Sequence, residues 1–376
     1  MNRRVPVGAS VAIAIAVAVA AFSATSHAGT TWTIVDLGTL GGTFSEPTAI
    51  NAAGDVIGLS GNSDDATRTF FWRNGTMTDL GTLGGNYTAA YLLNDRGQVA
   101  GFSFTATGDV HAFLWTRGVM VDIGTLGGAS SEPWGINASG EVVGLSDTAS
   151  GAQHAFLWKN GVMKDLGFFA IPAAVNNRGQ IALSGPNGSG GAHAFVWDRG
   201  TVTDLGDLGY VPGVSHAKAM NERGQVTGDS DVSSGFDHAF FAQPGTPMVD
   251  LGTLRSDGYG TSLPAGINAQ GHIAGLATSP SIFAHAFLWR DGTMTDLGTL
   301  GGVGSSATGL NNDDVVVGGS ATADGAFHAF DWQDGVMTDL GTLSSRSEAT
   351  AVNAGGQVVG TSDTAAGETH AVLWTH

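Results

Sequence analysis

Apolar and polar positions alternate along this chain in short runs, and small or turn-forming residues separate the runs. The stretch from Trp134 to Gly167 shows the pattern once. Residues 134–137, 141–146, 154–158 and 162–167 each read as a half-buried strand rich in Val, Ile, Phe and Trp. No helical period appears beyond the first 28 residues. The turns agree with this division. Asn-x-x-Gly joins first to second strand at Asn51, Asn94, Asn137, Asn176, Asn221, Asn268 and Asn353, where glycine takes the left-handed conformation of a tight hairpin. One copy carries Asp314 in place of that glycine. Third and fourth strands meet at two-residue signals such as Asn74-Gly75, Arg117-Gly118, Asn160-Gly161 and Asp334-Gly335.

The four-strand phrase repeats. Asp-Leu-Gly, once Asp-Ile-Gly, begins at Asp36, Asp79, Asp122, Asp165, Asp204, Asp250, Asp296 and Asp339, in steps of 39 to 46 residues. An aromatic segment of the His-Ala-Phe-Leu-Trp type starts at His111, His154, His193, His238, His285, His328 and His370, with a degenerate copy at Arg68. That period belongs to propellers and solenoids, and four antiparallel strands per unit favour the propeller. The chain opens on an isolated fourth strand at 32–38 and finishes on a third strand at 370–374. Joining them completes an eighth unit and removes the exposed edges of an open array. The expected fold is therefore an all-β, eight-bladed β-propeller of four-stranded blades, closed by the N-terminal strand.

The repeat resembles the HAF family of bacterial extracellular repeats through three linked phrases, Asn-x-x-Gly-x-Val-x-Gly, His-Ala-Phe-Leu-Trp and Asp-Leu-Gly-Thr-Leu-Gly-Gly. The resemblance implies an exported repeat protein and carries no general activity or catalytic residues with it. Departures fall in the middle of the chain. Phe168-Phe-Ala-Ile replaces Thr-Leu-Gly-Gly, Ala242 replaces the Trp, and Pro244 and Pro247 interrupt one hairpin.

The first residues fit export. Arg3 and Arg4 precede an unbroken apolar run at 11–22, and Ser26-His-Ala28 offers small residues to a signal peptidase. The expected organisation is a signal peptide at 1–28 and a single domain at 29–376, secreted to the periplasm or medium, monomeric, with no later segment apolar enough to span a bilayer. Loss of 28 residues moves the formal charge from −18 to −20. Such a surface disfavours nucleic acid, which needs clustered Lys and Arg. Cysteine is absent, so packing rather than disulfides must hold the fold.

Seven His at one repeat position invite a metal reading, but equivalent residues on different blades are spread around a ring and cannot converge on one ion. Most lie eleven residues before the Asp of their own unit, a spacing that makes the two diagonal neighbours across a hairpin. No metal or cofactor is expected. The Trp stripe (Trp72, Trp115, Trp158, Trp197, Trp289, Trp332, Trp374) reads as packing between blades. Small residues two positions before each turn Asn, such as Ala49, Gly135 and Gly309, fit crowding near an axis, with Leu92 the exception.

Variation marks the expected working surface. Loops at the end away from the short Gly turns carry Glu46, Tyr87, Glu132, Trp134, Phe168, Tyr210, His216 and Tyr259, and these are the candidate ligand-binding residues. Aromatics mixed with a few charges suit a face for polysaccharide or protein. No nucleophile elbow, zinc motif or phosphate loop is present. Carboxylates at Glu46, Glu132, Asp257 and Glu348 keep open the alternative of a propeller lyase or glycosidase. The expected function is an exported binding or interaction module.

Overall fold

The computed structural model describes residues 31–210 and 213–376, together with the backbone of two short strands at Ile15–Ala16 and Ala21–Thr25. The expected leader lies outside the described residues apart from those strands. Every described element is a β-strand. The repeat unit folds as a four-stranded antiparallel sheet. In one copy Gly127–Ile136, Val142–Thr148, Gln153–Lys159 and Val162–Asp165 pair in that order. Some sheets stand alone, and single parallel bridges join others, Val110 to Ser130 and Thr369 to Phe44.

First strands start earlier than the alternation indicates, at Gly127 rather than at residue 134. The cause is the Gly-Gly pair. A Cβ on Gly128 would lie 2.5 Å from Cβ of Asp147, so only glycine lets this segment approach strand two. Ser146 then accepts the Leu126 N–H at 2.9 Å and pins the extension. Further along, every first strand bulges, here between Pro133 and Gly135. The turns behave as expected. Gly140 has φ of 80°, Asn160 and Gly161 have 51° and 83°, and Asp314 is held at 61° while His272 Nδ1 donates to it at 2.8 Å.

One serine ties the repeat's linked phrases together. Ser131 accepts the N–H of Ala112 in the preceding unit's aromatic segment and donates to Gly124 O in its Asp-Ile-Gly. The same pair of hydrogen bonds recurs at Ser45, Ser215, Ser262, Ser305 and Ser347. Ala170 occupies the serine position in the irregular copy, and there Phe168 O accepts the Ala155 N–H instead, at 3.0 Å. His and Asp pair within each hairpin as the spacing predicts, with Nδ1 to carboxylate distances of 2.7 to 3.0 Å for all seven His. His370 reaches Asp36, at the far end of the sequence. Burial opposes ionisation of Asp36, yet N–H donors from His370 and Gly38 hold its carboxyl below the ordinary range.

Hydrophobic clusters sit between successive sheets. Ile57, Phe71 and Leu80 of one unit pack on Ala90, Val99, Phe113 and Trp115 of the next. Phe71 and Trp115 lie 5.1 Å apart, and Trp115, Trp197, Trp332 and Trp374 are buried, so these rings are packing elements. The first strands of consecutive units lie against one another, Ser347–Val352 against Gly41–Ile50 included. Each turn asparagine donates from Nδ2 to the main-chain carbonyl of its counterpart in the next unit, at 2.9 to 3.4 Å, from Asn51 through Asn311. Asn353 donates to Asn51 at 3.0 Å. Thr31–Gly38 completes the last sheet by pairing with Thr369–Thr375.

Asp331 breaks this core. It takes the position held elsewhere by Leu114, Leu157, Leu288 and Leu373, and its register opposite Val317 turns it toward Trp374 of the final sheet. Its Oδ1 and Trp374 Nε1 are both buried without hydrogen-bond partners. Burial pushes the carboxyl up to about 6 from 3.8. The folded state therefore binds this proton more tightly than the unfolded chain, and stability is lost as pH rises through about 6. We predict that Asp331→Leu raises the melting temperature at neutral pH, by at most about 3 kcal/mol of stability, and changes it least at pH below the unfolded carboxyl value. Parallel pH profiles for wild type and variant would contradict this.

Candidate functional site

Because the first strands of consecutive units lie against one another, a wall runs along the inner strands. Two positions on it change chemistry from unit to unit. Counting back from the turn Asn, the fifth residue is Glu46, Ala89, Glu132, Ile171, His216, Leu263, Ser306 and Glu348 in successive units. The third is the bulge residue, Thr48, Tyr91, Trp134, Ala173, Lys218, Ala265, Thr308 and Thr350. At the bulge position Thr48 and Thr308 reach the following unit, donating to Ala90 O and Ala349 O at 3.0 and 2.9 Å.

The wall is chemically lopsided. Glu348, Glu46, Tyr91, Glu132 and Trp134 come from four consecutive units, the last joining the first. Tyr91 and Trp134 are 50% and 42% exposed, large values for aromatic rings on inner strands. Burial raises the Tyr91 hydroxyl, with contributions from Tyr87, Glu132 and Glu46, so these groups share one electrostatic neighbourhood. Burial also raises the Glu132 carboxyl. Among the described residues neither Glu46 nor Glu132 has an ion-pair partner. On the opposite arc the groups are Ile171, Ala173, Leu263 and Ala265, while His216 and Lys218 both turn to Asp229, at 3.3 and 3.6 Å.

A cavity of about 440 Å³ opens beside the acidic arc, lined by Glu46, Thr308, Arg346, Glu348, Thr361 and Asp363 among others. Arg346 contacts Glu348 at 3.0 Å and lies 5.3 Å over the Phe327 ring. The turn end holds a second cavity of about 360 Å³, whose walls are the relay asparagines and the aliphatic residues before them, such as Ile50 and Leu310. Among the described residues no group of three or more His, Asp or Glu converges as a metal site.

The eight sequence candidates separate into three groups. Glu46, Glu132, Trp134 and His216 lie on inner strands rather than in loops; the Gly-Gly extension carries the strands past the first three, and His216 lies on Ser215–Met220, which has no such pair. Tyr87 lies on an inner strand too, but its ring packs on Phe102 and Phe104 at 6.0 and 5.7 Å. Phe168 joins the core between two sheets. Tyr210 and Tyr259 do lie in loops; Tyr259 meets the Phe236 ring edge-on at 4.5 Å. Tyr91 was missed, although counting three residues back from each turn Asn aligns it with Trp134.

Neither protein-family models nor curated proteins yield a match. Solved structures do. The β-propeller domain of the Trilobed protease from Pyrococcus furiosus, described as having an open velcro topology, aligns over 80% of this chain and 99% of its own at 10% identity, with a TM-score of 0.54. A prolyl endopeptidase aligns over 88% of this chain and 55% of its own, at 11% identity and a TM-score of 0.56. A puromycin-hydrolyzing peptidase from Mycobacterium tuberculosis aligns over 84% and 57%, at 15% identity and a TM-score of 0.51. The chain thus spans just over half the length of those two enzymes. At such identities the likeness shows fold alone, and the fold is that of a β-propeller.

The division between wall and core is testable by denaturant melts. Tyr91→Ala and Trp134→Ala are each expected to change stability by no more than about 0.5 kcal/mol. Phe168→Ala, which opens a gap between sheets, is expected to cost on the order of 2 kcal/mol. The reverse order would put Phe168, and not the inner wall, at the ligand's disposal.

Proposed function

We propose that this chain is an exported, eight-bladed propeller of the HAF-repeat kind, closed by its N-terminal strand, that binds a polysaccharide or protein through its inner-strand wall. The asparagine relay and the pairing of Thr31–Gly38 with Thr369–Thr375 support closure. The observation that carries the binding reading is the exposure of Tyr91 and Trp134 beside Glu46 and Glu132, at a bulge position where the other units place Thr, Ala or Lys. Half-exposed rings supply contact area at little entropic cost, and a few such anchors dominate many interfaces. A second reading, lyase or glycosidase, draws on the raised Glu132 carboxyl, which suits a proton donor. Secretion, a monomeric state and independence from nucleic acid complete the proposal.

A glycan array and a pull-down with residues 29–376, followed by a product assay on every hit, test it. The double variant Tyr91→Ala/Trp134→Ala is expected to weaken binding of the hit about a hundredfold, the loss of two aromatic anchors. Undiminished binding by that folded variant would move the site off the inner wall. Turnover abolished by Glu132→Gln would favour the enzymatic reading.

A further inference from the structure

The wall has more negative charge than its own cations neutralise, and its cavity is lined by groups that bind hydroxyls. Arg346 is the one basic side chain at the cavity, beside the carboxylates of Glu46, Glu348 and Asp363. It is already committed to Glu348 and to the face of Phe327. Thr350 and Thr361 add hydroxyls, and Tyr91 and Trp134 continue the same wall into the next units.

Each feature constrains the occupant. Three carboxylates that share a single cation in a recess favour a ligand that brings further positive charge. Paired oxygen acceptors and threonine hydroxyls match the vicinal hydroxyls of a sugar ring, and exposed aromatic faces match its apolar C–H face. A volume of about 440 Å³ is within the range of small-ligand sites. We infer that the inner wall binds a glycan bearing free amines, with a protonated amino sugar seated in the cavity between Glu46 and Glu348 and neighbouring rings stacked on Tyr91 and Trp134. This rests on the binding role proposed for the wall and adds the charge and class of its ligand.

The test uses the mature protein and three probes, a glucosamine hexamer, an N-acetylglucosamine hexamer and hexalysine, titrated calorimetrically at mildly acidic pH and low salt. The glucosamine hexamer is expected to bind about tenfold or more tightly than the acetylated one, with affinity falling as salt rises. The variant Glu46→Gln/Glu348→Gln is expected to lose that preference and retain the weaker, uncharged binding, and its melting curve checks that it folds. Equal binding of both hexamers, unaltered in the Gln variant, overturns the amine assignment and leaves the wall's binding role standing. Tighter binding of hexalysine than of either glycan overturns it in favour of a basic polypeptide. Binding of none of the probes overturns it outright, and the array and pull-down hits then decide separately whether the wall binds anything.

Discussion

A single carboxamide sets the geometry of this molecule. In each unit the turn asparagine uses Oδ1 to accept two N–H groups of its own hairpin, as Asn51 does from Ala53 and Asp55. Its Nδ2 donates across to the next unit's backbone. Because the group is neutral and its oxygen and nitrogen are both engaged, it can be buried at modest cost, where a charged group would need a counter-ion at every step. The link also fixes the height of each first strand relative to the next.

Most of the frame was legible in the sequence, and the reason is local. Hairpin glycines and the His to Asp spacing report interactions within one unit, which short-range pattern captures, and the aromatic segments stand out because every unit repeats them. What the sequence hid depends on a copy that departs from the repeat or on the absence of a side chain. The Gly-Gly extension looks like a loop until Gly128 is seen against Asp147, where no Cβ fits. Phe168 looks like an exposed aromatic until its carbonyl is found to stand in for the missing serine bond to Ala155. Glu46 and Glu132 were singled out as loop residues, and they belong to the wall; Tyr91 shares their register and was passed over.

The division of labour follows from how many positions the frame consumes. Serines tie phrase to phrase, His and Asp pair at the hairpins, Phe and Trp fill the space between sheets, and the asparagines join neighbours. Few inward positions remain free of these duties. The bulge residue and the one two before it are such positions, and there the repeat stops repeating. Acidic and aromatic side chains collect on one arc, and aliphatic or internally paired ones on the other. An asymmetric surface on a nearly symmetric frame is what a site for one extended ligand requires.

The account depends on the two ends of the chain forming one sheet, and the absence of native cysteine allows a direct measurement. Thr33 and Thr375 are directly opposed in the antiparallel pair that joins the ends. Cross-strand neighbours of this kind stand within disulfide reach. In a Thr33→Cys/Thr375→Cys protein, mild oxidation of the folded monomer should give a single intramolecular disulfide, with free thiols remaining when the same oxidation is applied in denaturant. Free thiols or intermolecular dimers from the folded protein would show that the ends lie apart and would contradict the account.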